Sequence, residues 1–178
     1  MKRYVITGGP GSGKSCVILE LELRKEWVTR EAAEDYIKLR QAHRIPKPWE
    51  EKDFQQKILD LSIQRESRVP RNIERVFHDR SVIDGLAYEP EGTDIYTNIL
   101  RAATQREKRL DNLNSYDGIF MVELLGEFET TITRREDRKK ALELQSKFDK
   151  AYRGLGYSPI YVPAGSLDER VGFILKNV

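Results

Sequence analysis

Gly8-Gly9-Pro10-Gly11-Ser12-Gly13-Lys14-Ser15 fills every fixed position of the pattern G-x-x-x-x-G-K-[ST], between an apolar run and a helix-forming stretch. No other feature of the 178 residues restricts the chain as much. Glycines in such a loop let successive backbone N–H groups converge on one point, and the helix N-terminus behind them adds partial positive charge. A lysine at this place reaches the β- and γ-phosphates of a nucleotide, and the next hydroxyl can bind Mg²⁺. A plain glycine-rich turn needs neither side chain, nor a strand before it and a helix after it. Gly8 to Ser15 therefore read as a triphosphate cradle. Cys16, next in line, reads as a small, partly buried helix residue rather than a redox switch.

Apolar runs at 3–7, 27–29, 75–78, 118–122 and 159–162 alternate with longer charged stretches that carry helical spacing. Phe54, Ile58 and Leu61 share one helical face, as do Ala141, Leu144, Phe148, Ala151 and Leu155. Ser166 stands where a terminal helix needs an N-cap. The order β-α-β-α-α-β-α-α-β-α-β-α predicts a three-layer α/β sandwich with a parallel sheet of five strands, in a single domain over 1–178.

In an open parallel sheet, ligands bind beyond the carboxyl ends of the strands. Val76-Phe77-His78 runs into Asp79-Arg80 at such an end, so Asp79 should face the same cleft as Lys14 and Ser15. Asp79 can hold Mg²⁺ through water or accept a proton from an acceptor hydroxyl, and both roles stay open. Arg80 can grip the acceptor or a phosphate; the blander alternative for the pair is a helix cap followed by a solvated arginine. Asp84 projects from the start of the next helix, and His78 reads as structural. With only His43 and His78 present, a histidine-rich metal site is excluded.

A very polar segment, about 127–140, contains Thr133-Arg134-Arg135-Glu136-Asp137-Arg138. Its place between a strand and a helix suits a lid that neutralises charge during transfer, with Arg134 and Arg138 as the leading candidates; composition alone suits a solvated loop. Lys and Arg total 31 against 29 Asp and Glu, a net charge of +2, which gives no support for a dedicated nucleic-acid binder. The lone Cys16 cannot pair within the chain, and no segment approaches ~18 uninterrupted apolar residues. A cytoplasmic protein without a membrane span is the expectation.

The chain resembles the AAA-type P-loop domain shared by bacterial ribosylnicotinamide kinases and related predicted ATPase/kinase proteins. The resemblance rests on Val5 to Ser15, Arg30-Glu31-Ala32-Ala33, Pro48-Trp49 ahead of Phe54-Gln55, and Asp79-Arg80 with Asp84-Gly85-Leu86-Ala87-Tyr88. It continues through Tyr152-Arg153-Gly154-Leu155-Gly156-Tyr157 and Val162-Pro163 with Asp168-Glu169-Arg170-Val171. It implies a nucleoside- and nucleotide-kinase-like core of sheet order 2-3-1-4-5. It also implies that Pro163 to Leu167, hence Gly165 and Ser166, border the base, and that Glu31 and Arg80 line the acceptor side. Thr29-Arg30-Glu31 is similar to thymidylate kinases, but the proline-glycine-glycine that should follow is absent. The second acidic pair and the sensor arginine of a ring-forming motor are also missing.

The function that follows is an ATP- and Mg²⁺-dependent kinase of a small nucleoside- or nucleotide-like acceptor bound near Glu31, Arg80 and Asp84. Glu31 is expected to lie away from the triphosphate. GTP stays open, although no guanine signature occurs; Asn112-Leu113-Asn114 is no match. The alternative is a regulatory nucleotide switch or slow NTPase that binds a protein or an acidic lipid headgroup.

Overall fold

β1 (Lys2–Thr7) has neighbours on both sides, β3 (Arg75–Asp79) and β4 (Gly118–Val122). Its apolar run reflects that central place, because a strand of a parallel sheet is covered on both faces. Successive side chains point to opposite faces. Val5 enters one core with Leu59, Ile83, Ile99 and Phe148, whereas Tyr4 and Ile6 enter the other with Val17, Leu21, Val171 and Ile174. β4 repeats the division, sending Ile119 and Met121 to the first core and Phe120 and Val122 to the second. Full burial of such a side chain stabilises the fold by about 1.5–3 kcal/mol.

The computed structural model describes residues 1–105, 116–125 and 138–178. β2 (Trp27–Thr29) and β5 (Ile160–Val162) complete a parallel sheet of order β2-β3-β1-β4-β5. One face carries α1 (Lys14–Leu23) and the last helix, α6 (Leu167–Lys176); the other carries α3 (Phe54–Ser67), α4 (Asp94–Thr104) and α5 (Arg138–Gly154). The chain also forms α2 (Ala32–Ala42) and two short 3-10 turns, Pro48–Glu50 and Val82–Ala87, the second of which enters the core with α3, α4 and α5. The strand order is the one the resemblance implies.

Several differences from expectation have local causes. The helix expected over 81–88 is a 3-10 turn, because the Ser81 cap and the approach to Pro90 leave only a 6-residue segment, Val82–Ala87. α1 stops at Leu23, since Lys25 adopts a positive φ of 68°. α5 includes Arg138, so the end of the polar segment is helix; residues 126–137 lie outside the described residues. Arg3, inside an apolar strand, is buried, with its guanidinium 3.4 Å from His78 Nε2. Among the described residues no helix is long and apolar enough to cross a membrane.

Candidate functional site

The register pairs Ile6 of β1 with Asp79 of β3, so the start of the phosphate loop and the Asp79 carboxylate emerge side by side at the carboxyl edge of the sheet. Gly8 turns there against Val122; a Cβ on it would stand 2.6 Å from the Val122 carbonyl oxygen. At the far end of the loop Gly13 caps α1 with φ 76°, the left-handed region that glycine adopts without strain. No side chain caps α1. The first N–H groups of a helix have no intrahelical acceptor, so they are left for an anion. Ser15 and Cys16 in that first turn are exposed, so the partly buried place expected for Cys16 is not observed.

Lys14 folds back into the protein and is 6% exposed. Its Nζ donates to Glu31 Oε2 at 2.8 Å and, more closely, to Asp79 Oδ1. Arg80, with φ 64°, places Nε 3.2 Å from the same Glu31 oxygen, Nη1 3.1 Å from Asp84 Oδ1 and Nη2 3.2 Å from the Gly8 carbonyl oxygen. Its guanidinium lies 4.8 Å from the centre of the Phe148 ring on α5. Buried Lys14, partly buried Arg80 and three carboxylates therefore form one cluster beside the phosphate loop.

The two acids on Lys14 end up shifted in opposite directions, although the lysine favours the ionised form of both. Burial pushes the Glu31 carboxyl up, but Arg80 and then Lys14 outweigh burial and bring it down to about 2. Burial also pushes up the Asp79 carboxyl; Lys14 opposes this, Glu31 adds to it, and the result stays above the ordinary aspartate value. Glu31 is an ion-pair anchor, and Asp79 is the more basic carboxylate.

The contact between Glu31 and Lys14 corrects the expectation that Glu31 lies away from the triphosphate side. β2 ends at Thr29 beside β3, so the turn into α2 carries Glu31 across the strand ends to the lysine. Arg65 of α3 fixes that turn. Its Nη1 donates to the carbonyls of Arg30 and Glu31 at 2.8 and 2.9 Å, and its Nη2 pairs with Asp35 at 2.7 Å.

Asp84 joins the cluster but does not project freely. Its carboxylate accepts from Thr7 Oγ1, from Ser81 N at 2.9 Å, from Tyr152 Oη at 2.5 Å and from Arg80. Burial, with Asp84 next, raises the Tyr152 phenol well above its ordinary value, so it stays a donor.

A cavity of about 740 Å³ opens beside this cluster. Glu31, Asp79 and Arg80 border it at the cluster end, and Trp49, Phe54 and Tyr88 give it aromatic surface. No phosphate-loop residue lines it, so the loop and the cavity meet only at the shared charged cluster.

The remaining predicted positions are more scattered. Gly165 and Ser166 are exposed in the segment before α6, where Ser166 caps the helix and its Oγ donates to Glu169 at 2.7 Å. Arg138 is exposed and donates to the Leu125 carbonyl at 3.3 Å, while Arg134 lies outside the described residues. Sequence reasoning gave no role to Arg65, Gln145 or Arg170. Gln145 Oε1 accepts from Gly9 N at 3.4 Å, and Arg170 Nη2 donates to the Ser12 carbonyl at 2.7 Å. Nothing local marks Arg65 or Gln145, whereas Arg170 stands within a string that carries the resemblance.

Comparison with known proteins agrees with this geometry. A family model described as an AAA domain matches residues 3–170. No curated protein matches the sequence. NadR protein in complex with NR shares the fold with a TM-score of 0.70 and 15% identity, over 98% of this chain and 49% of that one. NadR with NAD and AMP-PNP gives a TM-score of 0.63 at 18% identity, over 97% and 47%. The chain thus spans about half the length of these NadR structures. Deoxyadenosine kinase from M. mycoides with products dCMP and a flexible dCDP gives 0.57 at 16% identity, over 98% and 97%. Identities this low speak for the fold, and the family match speaks for kinship: the chain belongs to the AAA domain family.

Proposed function

We propose that the chain is a phosphotransferase that moves the γ-phosphoryl group of ATP to a small nucleoside- or nucleotide-like acceptor in the cytoplasm. One observation carries this reading. The aromatic-walled cavity opens onto the same Asp79–Glu31–Arg80 cluster that holds the phosphate-loop lysine. A protein that only hydrolyses or senses a nucleotide has no need of a second chamber at that point, whereas a kinase must hold an acceptor hydroxyl within reach of a base.

Each side chain then has a task. The amides of Gly8 to Ser15 and the Lys14 ammonium hold the β- and γ-phosphates. To reach them Lys14 gives up part of its contact with Asp79 and Glu31. Asp79, the more basic of the two acids, takes the proton of the acceptor hydroxyl. Glu31, ionised throughout, orients Arg80 and Lys14, and Arg80 faces the acceptor. Asp84 borders the cavity and acts through Arg80. Arg138 and Arg134 serve the leaving charge, and Gly165 and Ser166 border the base.

Mg²⁺ fits the donors present. Ser15 offers an exposed hydroxyl in the first turn of α1, and Asp79 offers a carboxylate at the same edge. Among the described residues no group of three His, Cys, Asp or Glu could hold a metal alone, which suits an ion that takes one or two protein oxygens and completes its shell with phosphates and water. Bound there, Mg²⁺ would neutralise phosphate charge.

The test is phosphoryl transfer from labelled ATP, and from GTP in parallel, to a panel of nucleosides, nucleotides and vitamins, with free phosphate followed alongside. Label appearing in one acceptor class, with turnover raised well above background hydrolysis, supports the kinase. Hydrolysis that no acceptor stimulates overturns it in favour of the slow NTPase or nucleotide switch with a protein or acidic lipid partner.

A further inference from the structure

Arg170 stands in the first turn of α6, 158 positions from Ser12, yet its guanidinium is buried against the back of the phosphate loop. The residue is 3% exposed. Nη2 donates to the Ser12 carbonyl at 2.7 Å and to the Glu123 carbonyl at 3.0 Å. Nη1 lies over the bare Cα of Gly13, where a Cβ would come within 2.9 Å of it. Glu123 extends the chain of contacts. Its N–H donates to Val162 O at 3.1 Å, and its carboxylate accepts from Ala164 N at 3.3 Å.

A buried guanidinium is costly to keep. This one is held by carbonyl oxygens, and its Nε has no partner among the described residues. Burial accordingly lowers its pKa from the ordinary arginine value. An apolar side chain could fill the same space at less cost, so the arginine's return must come from what its two hydrogen bonds fix.

The Ser12 carbonyl and the Gly13 N–H belong to one planar trans peptide, in which C=O and N–H point in opposite directions. A donor that holds the Ser12 oxygen from behind therefore turns the Gly13 N–H forward, into the cradle. Gly13 alone does not secure this, because at φ 76° a glycine peptide has other orientations open to it.

We propose that Arg170 is the positioning residue of the phosphate loop: it holds the Ser12 carbonyl so that the Gly13 N–H faces the phosphates, and through Glu123 it ties that orientation to the segment following β5. The proposal rests on the loop's holding a nucleoside triphosphate. It assigns Arg170 no contact with the ligand.

Arg170→Met removes the donors and Arg170→Lys keeps the charge on a less directional head. Binding of ATP and of inorganic tripolyphosphate is measured for wild type and both variants, well below their unfolding temperatures. Hydrogen exchange of the ligand-free proteins is followed by peptide. Both ligands should weaken about tenfold or more in Arg170→Met, with Arg170→Lys in between. Exchange should quicken at residues 12–14 while β1 and β4 keep wild-type protection. Unchanged affinities, or exchange that quickens equally across the sheet, overturn the positioning role while leaving the functional reading in place. If Arg170→Met does not fold, Arg170→Lys decides by the same two measurements. Wild type that binds neither ATP, GTP nor tripolyphosphate overturns the reading of the loop, and this proposal with it.

Discussion

The phosphate loop and the neighbouring cavity share a wall of charged side chains but are made in opposite ways. The loop is one continuous segment whose working groups are backbone amides, so glycine, lysine and serine at fixed spacing are enough to write it. The cavity is assembled from β2, α2, β3, α3, the two 3-10 turns and α4, and its working groups are side chains brought together only by the fold. A site made of backbone can be read from a short string. A site made of side chains from distant segments depends on the whole fold.

The sharpest way to break this division is to remove the one loop side chain that crosses it. Lys14→Ala should lower turnover by roughly 10³-fold, the scale of losing a preorganised charge stabiliser. From the motif alone the fold would be untouched. The structure says otherwise, because the substitution leaves Asp79 and Glu31 facing each other without their shared cation. A lower unfolding temperature that partly recovers in mild acid, as Asp79 takes a proton, should accompany the loss. Wild-type turnover in a folded variant would remove the loop from the mechanism.

Asp79→Asn sharpens the comparison from the cavity side. Turnover should fall about 10²-fold if the carboxylate serves as a base, while nucleotide binding survives. Stability should move the other way. The native state raises the Asp79 carboxyl, so the folded chain binds that proton more tightly than the unfolded one and the ionised form costs stability at neutral pH. The variant should therefore unfold at a higher temperature than wild type at pH 7, with the advantage shrinking as pH falls through the raised folded-state value and gone below the ordinary aspartate value. A lower melting temperature at pH 7 would mean that the Lys14 contact outweighs burial.

Glu31→Gln tests the other acid and should give the opposite pH signature. Held at about 2 against an ordinary value of 4.5, Glu31 contributes stability that is fully present above the ordinary value and is lost as pH falls from there towards 2. Acid unfolding of the variant should lack that part of the slope. Because Glu31 touches both Lys14 and Arg80, the substitution should weaken ATP binding and acceptor use together, each by about tenfold. Loss of acceptor use alone would restore the arrangement in which Glu31 stands clear of the triphosphate.

The same division explains what was legible beforehand. β1, the loop and α1 follow from local pattern, and the alternation of elements gives a parallel sheet; the strand order follows from the family resemblance and not from the pattern. A strand's carboxyl end is itself a local signal, and Asp79 stands at one, beside Lys14. The partners of Asp84 were not legible: Thr7, Arg80 and Tyr152 come from three parts of the chain, and an acid near a helix start reads as solvent-facing until the fold closes over it. Arg3 and Arg170 fail for the same reason, since a charged residue is assigned to the surface unless its distant carbonyl or imidazole partners are known.

The smallest effect is expected at Trp49, where the cavity alone is probed. The residue sits in the Pro48–Glu50 turn, 46% exposed, and forms part of the aromatic wall of the cavity, which Lys14 does not line. An indole so exposed adds little to the core, so Trp49→Ala should leave the unfolding temperature nearly unchanged. Stacking a planar acceptor on such a ring contributes about 0.5–1.5 kcal/mol beyond area burial. That corresponds to a rise of roughly 2–10-fold in the acceptor's KM, with kcat and the KM for ATP held, because the contact is made equally before and during transfer. Phosphoryl-transfer kinetics with acceptor and ATP varied independently give both constants. If the two KM values rise together, the cavity and the loop are not separable sites, and the contrast between them fails at the wall they share.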